Sequence, residues 1–208
     1  MTTPSVDHLA DELCVLLIRL HRLKDAAYGD AWRKRGEVLG IFCNIARKYD
    51  RLANAMSETE ASAVESLGDT AGDLCVYAGK YVTWLAEVHP DGFDGGSPIV
   101  PADVAATLGP EAFERVLRAV ARDGAPVPPN GQAAWAAVRA AFDRLERGLV
   151  AQAAPTSDQE DLLAASDKVA LAWSLCRASL WLLVRVAERD DVYVRSIRLD
   201  VERMERGQ

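Results

Sequence analysis

Residues 65–73 read Glu65-Ser66-Leu67-Gly68-Asp69-Thr70-Ala71-Gly72-Asp73, and the recurrence of Glu65, Asp69 and Asp73 at every fourth position decides how the segment folds. In an α-helix these acids stand nearly above one another along one side. Val64, Leu67, Ala71, Leu74, Ala78, Val82 and Leu85 supply an apolar side for the same helix, which the pattern carries from about residue 61 to Val88. Like charges at this spacing cost a helix about 0.2–0.5 kcal/mol per pair, so something normally offsets them. A divalent metal, a basic partner helix and plain solvation of an acidic face would each do so.

Working outward, helical periodicity continues in both directions. Leu9, Leu13, Leu16, Leu17, Leu20 and Leu23 mark a first helix over Val6–Ala27, with Ser5 as N-cap and Gly29 as its stop. Asp30 then caps a second helix, Ala31–Met56, loosened near Gly36 and Gly40, whose core side is Val38, Ile41, Phe42, Ile45, Tyr49 and Leu52. Ser57 and Glu60 stand at capping-box spacing before the acidic helix. The stretch from His89 to Pro101, rich in Gly and Pro, ends that unit. Further helices are expected at Ala102–Leu108, Pro110–Arg122, Ala133–Ala153, Asp158–Arg189 (with a Ser157/Glu160 capping box) and Asp191–Arg206. The expected fold is all-α, a helical bundle of an antiparallel core in residues 1–89, a loop-rich connector with short helices in 90–132, and added helices in 133–208 packed on the core.

Composition narrows the function classes. The chain has 208 residues, 50% hydrophobic and 26% charged, which suits an ordinary globular protein with one substantial core. A net charge of −7 argues against a surface for nucleic-acid polymers. Cys14, Cys43, Cys75 and Cys176 are far apart and each lies among apolar residues, so buried reduced thiols are expected. His8, His21 and His89 have no metal-ligand spacing. The longest apolar segment, Val169 to Ala187, is interrupted by Ser174, Arg177, Ser179 and Arg185, so no membrane span and a cytoplasmic location are expected.

Two polar faces are expected to meet. Glu37, Asn44, Lys48 and Arg51 share a face of the second helix, and Glu65, Asp69, Asp73 and Lys80 share one of the third. Counting outward from a turn at Ser57 sets Arg51 and Lys48 opposite Glu65 and Asp69, Asn44 near Asp73, and Glu37 near Lys80. These pairings have two readings: plain interhelical salt bridges, contributing on the order of 0–1 kcal/mol each, and a groove where acids hold Mg²⁺ and bases hold phosphates.

Taken in order, Lys24, Tyr28-Gly29, Trp32, Lys48-Tyr49-Asp50-Arg51-Leu52 and Glu65-Ser66-Leu67-Gly68-Asp69-Thr70-Ala71-Gly72-Asp73-Leu74 with Tyr77-Ala78 form a pattern. It resembles the MazG-like all-α NTP pyrophosphatases, and within them the phage and bacterial branch associated with nucleotide modification. The likeness covers about a third of the chain, from Leu17 to Leu85. It implies a Mg²⁺-dependent hydrolase, with Mn²⁺ as an alternative ion, splitting nucleoside triphosphates into monophosphate and pyrophosphate. Carried over by position, Glu65, Asp69 and Asp73 would be the catalytic and metal-holding acids, joined by Glu37. Lys24, Asn44, Lys48 and Arg51 would meet the substrate, and Tyr28 and Trp32 would stack on its base or simply pack between helices.

The chain departs from the pattern in two places. Ala27 stands where the branch has Asp, and Glu37 is followed three residues later by Gly40 rather than by a second acid. The rival expectation is therefore a non-catalytic helical interaction or nucleotide-sensing module. Relatives of this kind close their bundle with a second subunit, so both a monomer and a homodimer are compatible with the later helices.

Overall fold

The computed structural model describes residues 5–29, 31–57, 63–89, 110–153 and 164–207. Among them the protein is all-α, without a strand: α1 Val6–Tyr28, α2 Cys43–Ser57, α3 Ala63–Val88, α4 Pro110–Ala121, α5 Gly131–Ala153, α6 Ala165–Arg189 and α7 Val192–Glu205. The expected Asp30 cap, Glu60, the loop from residue 90 to 101, the helix at 102–108 and the Ser157/Glu160 box lie outside the described residues.

Local chemistry sets the ends. The Ser5 hydroxyl accepts from the His8 N–H at 3.3 Å, satisfying one of the donors that a helix start leaves free. Gly29, at φ 59, closes α1 with its N–H on the Asp25 carbonyl. The second helix departs from expectation. Residues 31–35 form turns, Gly36 sits at φ 75, and Glu37–Phe42 wind as a π-helix before α2 begins at Cys43. Gly40 explains the tight approach, since a Cβ there would lie 3.2 Å from the Trp32 carbonyl oxygen. The turn and the wider π-helical winding rotate Glu37 away from the face that Asn44 and Lys48 share.

One hydrophobic core runs through the described chain. It joins Leu13 and Leu17 of α1, Ile45 and Leu52 of α2, Leu74 and Leu85 of α3, Phe113 of α4, Leu145 of α5, Trp173 and Leu182 of α6, and Ile197 of α7. The most extensive helix pairing is α3 against α6, followed by α5 against α6, so α5, α6 and α7 share one core with α1, α2 and α3. Tyr49 stacks on Phe142 with ring centroids 3.7 Å apart, fastening α2 to α5.

Helix α6 is long and apolar enough to cross a bilayer by length and composition, with a mean hydropathy of 1.5, contrary to the expectation from its interruptions. Yet 72% of that apolar window is buried inside the fold, as befits a central core helix. Its arginines hold the α4–α5 linker: Arg177 binds Asp123 and the Pro126 carbonyl, and Arg185 donates to the Pro128 carbonyl. The thiols also need one correction. Cys14, Cys75 and Cys176 are buried and free, but Cys43, the first residue of α2 after the π-helix, is exposed.

A buried polar contact ties the two halves together. The Lys168 ammonium donates to both Glu37 carboxylate oxygens, at 2.9 and 3.0 Å, and the Tyr81 hydroxyl donates to the same carboxylate at 2.5 Å. Removing one partner leaves the others unpaired where little water reaches them. Lys168→Met should therefore lower unfolding free energy by about 1.5–3 kcal/mol, read from a urea titration, and Glu37→Gln with Lys168→Met should recover part of the loss.

Candidate functional site

A cavity of about 580 Å³ opens along the polar side of α3. Its lining includes Lys24 and Asp25 from α1, Trp32 from the turn, Asn44 and Lys48 from α2, Asp69, Asp73, Tyr77 and Lys80 from α3, and Tyr193 from α7. The helical spacing of Asp69, Asp73, Tyr77 and Lys80 places them in a column, and the α1 and α2 cations enter from either side.

The expected hairpin register is displaced by about one turn. Lys48 pairs with Asp73 rather than Asp69, in a hydrogen-bonded ion pair that is largely shielded from solvent. Asn44 lines the cavity, but its amide is engaged locally, donating to the Gly40 carbonyl at 2.7 Å and accepting from Arg47 at 3.0 Å. Lys80 stands 3.9 Å from Asp25 and 5.1 Å from the centre of the Trp32 ring, not beside Glu37. Glu37 is taken up by Lys168 and Tyr81 outside this cavity, so the structure does not bring it together with Asp69 and Asp73. Arg51 is exposed and not part of the lining, although its field reaches Asp69. The side chains of Tyr28 and Glu65 lie outside the described residues.

The charges in the cavity are only partly compensated. Asp69 has no ion pair among the described residues. Loss of water contact and the neighbouring Asp73 raise its pKa, against the fields of Lys24, Lys48 and Arg51. Burial lowers the Lys80 pKa, with Lys24 adding to the effect and Asp25 opposing it. His21, at the cavity floor with its ring 4.0 Å from Phe113, is pushed down to about 3 by burial and then by Lys80, so its imidazole is neutral.

Sequence reasoning missed Asp25 and Tyr193 altogether. Tyr193 had a signal in plain view, the Gly68-x-x-x-Gly72 pair on α3. A Cβ at Gly68 would lie 2.7 Å from Tyr193 Cγ, and one at Gly72 would overlap the phenol oxygen, so the ring lies directly on the α3 backbone.

Among the described residues no group of three or more His, Cys, Asp and Glu side chains is arranged to hold a metal. Asp25, also in the lining, faces Lys80, and the adjacent donors at hand are the Asp69 and Asp73 carboxylates, an incomplete set for a resident ion. They do suit Mg²⁺ in its usual manner, bound through one or two carboxylates together with substrate phosphates and water. Comparison with family models, curated proteins and solved structures gives no match. The resemblance to the MazG-like group therefore rests on the quoted residues alone.

The two shifted groups give opposite pH arms. Asp69 has a folded pKa above its ordinary 3.8, so its stability term is complete below pH 3.8 and lost as pH rises through the folded value. In chelator-treated buffer at pH 7, Asp69→Asn should stabilise the protein by roughly 0.5 kcal/mol, a small effect because the carboxylate is exposed to screening, and the gain should vanish below pH 3.8. His21 has a depressed folded pKa, so its term holds above 6.5 and is lost as pH falls toward 3. His21→Gln should flatten that acid arm in melts taken across the same range.

Proposed function

We propose that the protein is a Mg²⁺-dependent nucleoside triphosphate pyrophosphohydrolase acting in the cytoplasm on ribo- or deoxyribonucleotides, in nucleotide-pool or phage-related nucleotide metabolism. The observation that carries this reading is the convergence of Lys24, Lys48 and Lys80 with Asp69 and Asp73 in one cavity. The lysines offer charge-assisted contacts to a phosphate chain. Trp32 and Tyr77 give the same cavity aromatic surface for a base. The volume falls within the range usual for small-molecule sites.

In this reading Asp69 and Asp73 would hold a divalent ion arriving with the polyphosphate, and the chemistry the ion would supply is neutralisation of charge on the leaving pyrophosphate. The protein's own groups do the rest. Lys48, already held by Asp73, is positioned to bind phosphate without first losing side-chain freedom. A carboxylate oxygen not engaged by the ion would be the acceptor for the proton of an attacking water.

One observation favours the rival, a nucleotide-binding module without turnover. Glu37, the acid expected from the second helix, is spent on Lys168 and Tyr81, leaving the described cavity with fewer carboxylates than the resembling enzymes use. Incubation with a panel of triphosphates and separation of the products distinguishes the two. Monophosphate and pyrophosphate are expected, with loss of turnover on chelation and a drop of about 10- to 100-fold in kcat/KM for Lys48→Ala. Release of orthophosphate would contradict the cleavage position, and tight binding with no product would favour the module.

A further inference from the structure

Helix α7 comes from the end of the chain, far in sequence from the acidic segment, yet it delivers Tyr193 to the cavity. The phenol runs along α3 for one turn. Its Cβ and Cγ rest over Gly68 and its oxygen over Gly72, the helix positions that directly precede Asp69 and Asp73. The ring is buried, at 6% exposure, so its orientation is fixed by packing. Its oxygen makes no hydrogen bond to another described residue, and neither carboxylate accepts from it. Buried polar atoms that lack a partner among the described residues are Thr70 Oγ1, Trp173 Nε1 and Trp181 Nε1. Tyr193 Oη is not one of them, and Tyr193 is among the residues that line the cavity.

A phenol is neutral at neutral pH and carries one donor hydrogen. Both neighbouring carboxylates accept hydrogen bonds when ionised, so Tyr193 sets beside them a donor that carries no charge and whose ring is held by packing on Gly68 and Gly72. We infer that Tyr193 is a ligand-contacting residue, its hydroxyl donating a hydrogen bond to a phosphate oxygen of a polyphosphate bound along α3. This rests on the reading of the cavity as a polyphosphate site. It makes the carboxy-terminal helix part of the binding machinery as well as a cover for the core. The contact is made within one chain, so this wall of the cavity requires no second subunit.

Tyr193→Phe tests the inference, because the ring keeps its seat on Gly68 and Gly72 and only the oxygen is lost. Calorimetric titrations with magnesium pyrophosphate and with magnesium α,β-methylene-dATP compare the wild type, Tyr193→Phe and Lys48→Ala. Tyr193→Phe should bind both probes roughly 3- to 10-fold more weakly, the loss of one neutral hydrogen bond, while its melting temperature stays that of the wild type. Wild-type affinity in Tyr193→Phe, alongside weakened binding in Lys48→Ala, would overturn the role of Tyr193 and leave the cavity reading standing. Tyr193-dependent binding of pyrophosphate without any triphosphate turnover would uphold Tyr193 and remove the hydrolase. Failure of the wild type to bind either probe would overturn both.

Discussion

Helix α3 carries two incompatible surfaces, and the rest of the fold is arranged around keeping them apart. One side packs against α6 through fully buried residues such as Leu74, Ala78 and Leu85. The other carries Asp69, Asp73 and Lys80, which need water, counter-charges or a ligand. Gly68 and Gly72 lie between the two and remove the side-chain bulk that would hold another element at a distance. Tyr193 takes that space, so α7 can seal the core edge and still leave a cavity beside the acids. Side chains at these positions would push α7 off α3 and expose the seam.

The electrostatics follow from that partition. Burial on the scale of the cavity wall penalises both signs of charge, which is why Lys80 and Asp69 shift in opposite directions from the same cause. Lys48 and Asp73 relieve each other, whereas Asp69 is left with distant cations. An uncompensated carboxylate in a cleft is a liability for stability and a resource for binding, since a ligand that supplies positive charge recovers the lost interaction. Glu37 shows the contrasting solution. With Lys168 and Tyr81 around it, its charge is satisfied inside the protein and serves to hold α6 against the π-helical segment.

Helices and apolar faces were largely legible from periodicity, because leucine spacing in α1 and the alternation of small and branched residues in α3 state which side is buried. Ser5 and Gly29 were legible for the same local reason, a cap being a matter of three or four adjacent residues. The register between α2 and α3 was not. Counting from a turn assumes uninterrupted helices, and the π-helical winding at Glu37–Phe42 together with Gly36 breaks that assumption. Lys48 therefore finds Asp73 instead of Asp69, and Glu37 leaves the groove. Cys43, which directly follows that segment, is exposed, whereas Cys14, Cys75 and Cys176 lie in the core as their apolar neighbours suggest.

Sequence by itself determined the all-α class, the column of acids on α3 and the cation Lys48 of α2 that stands near it, since these depend on spacing within single helices; Lys24 of α1 entered only through the family resemblance. Tertiary structure alone decided which cation meets which acid, that Glu37 belongs to Lys168, and that a tyrosine from the last helix forms part of the cavity. Those outcomes depend on how close two backbones come and at what rotation. Such distances are set by the summed packing of the whole core, and no local pattern of residues encodes them.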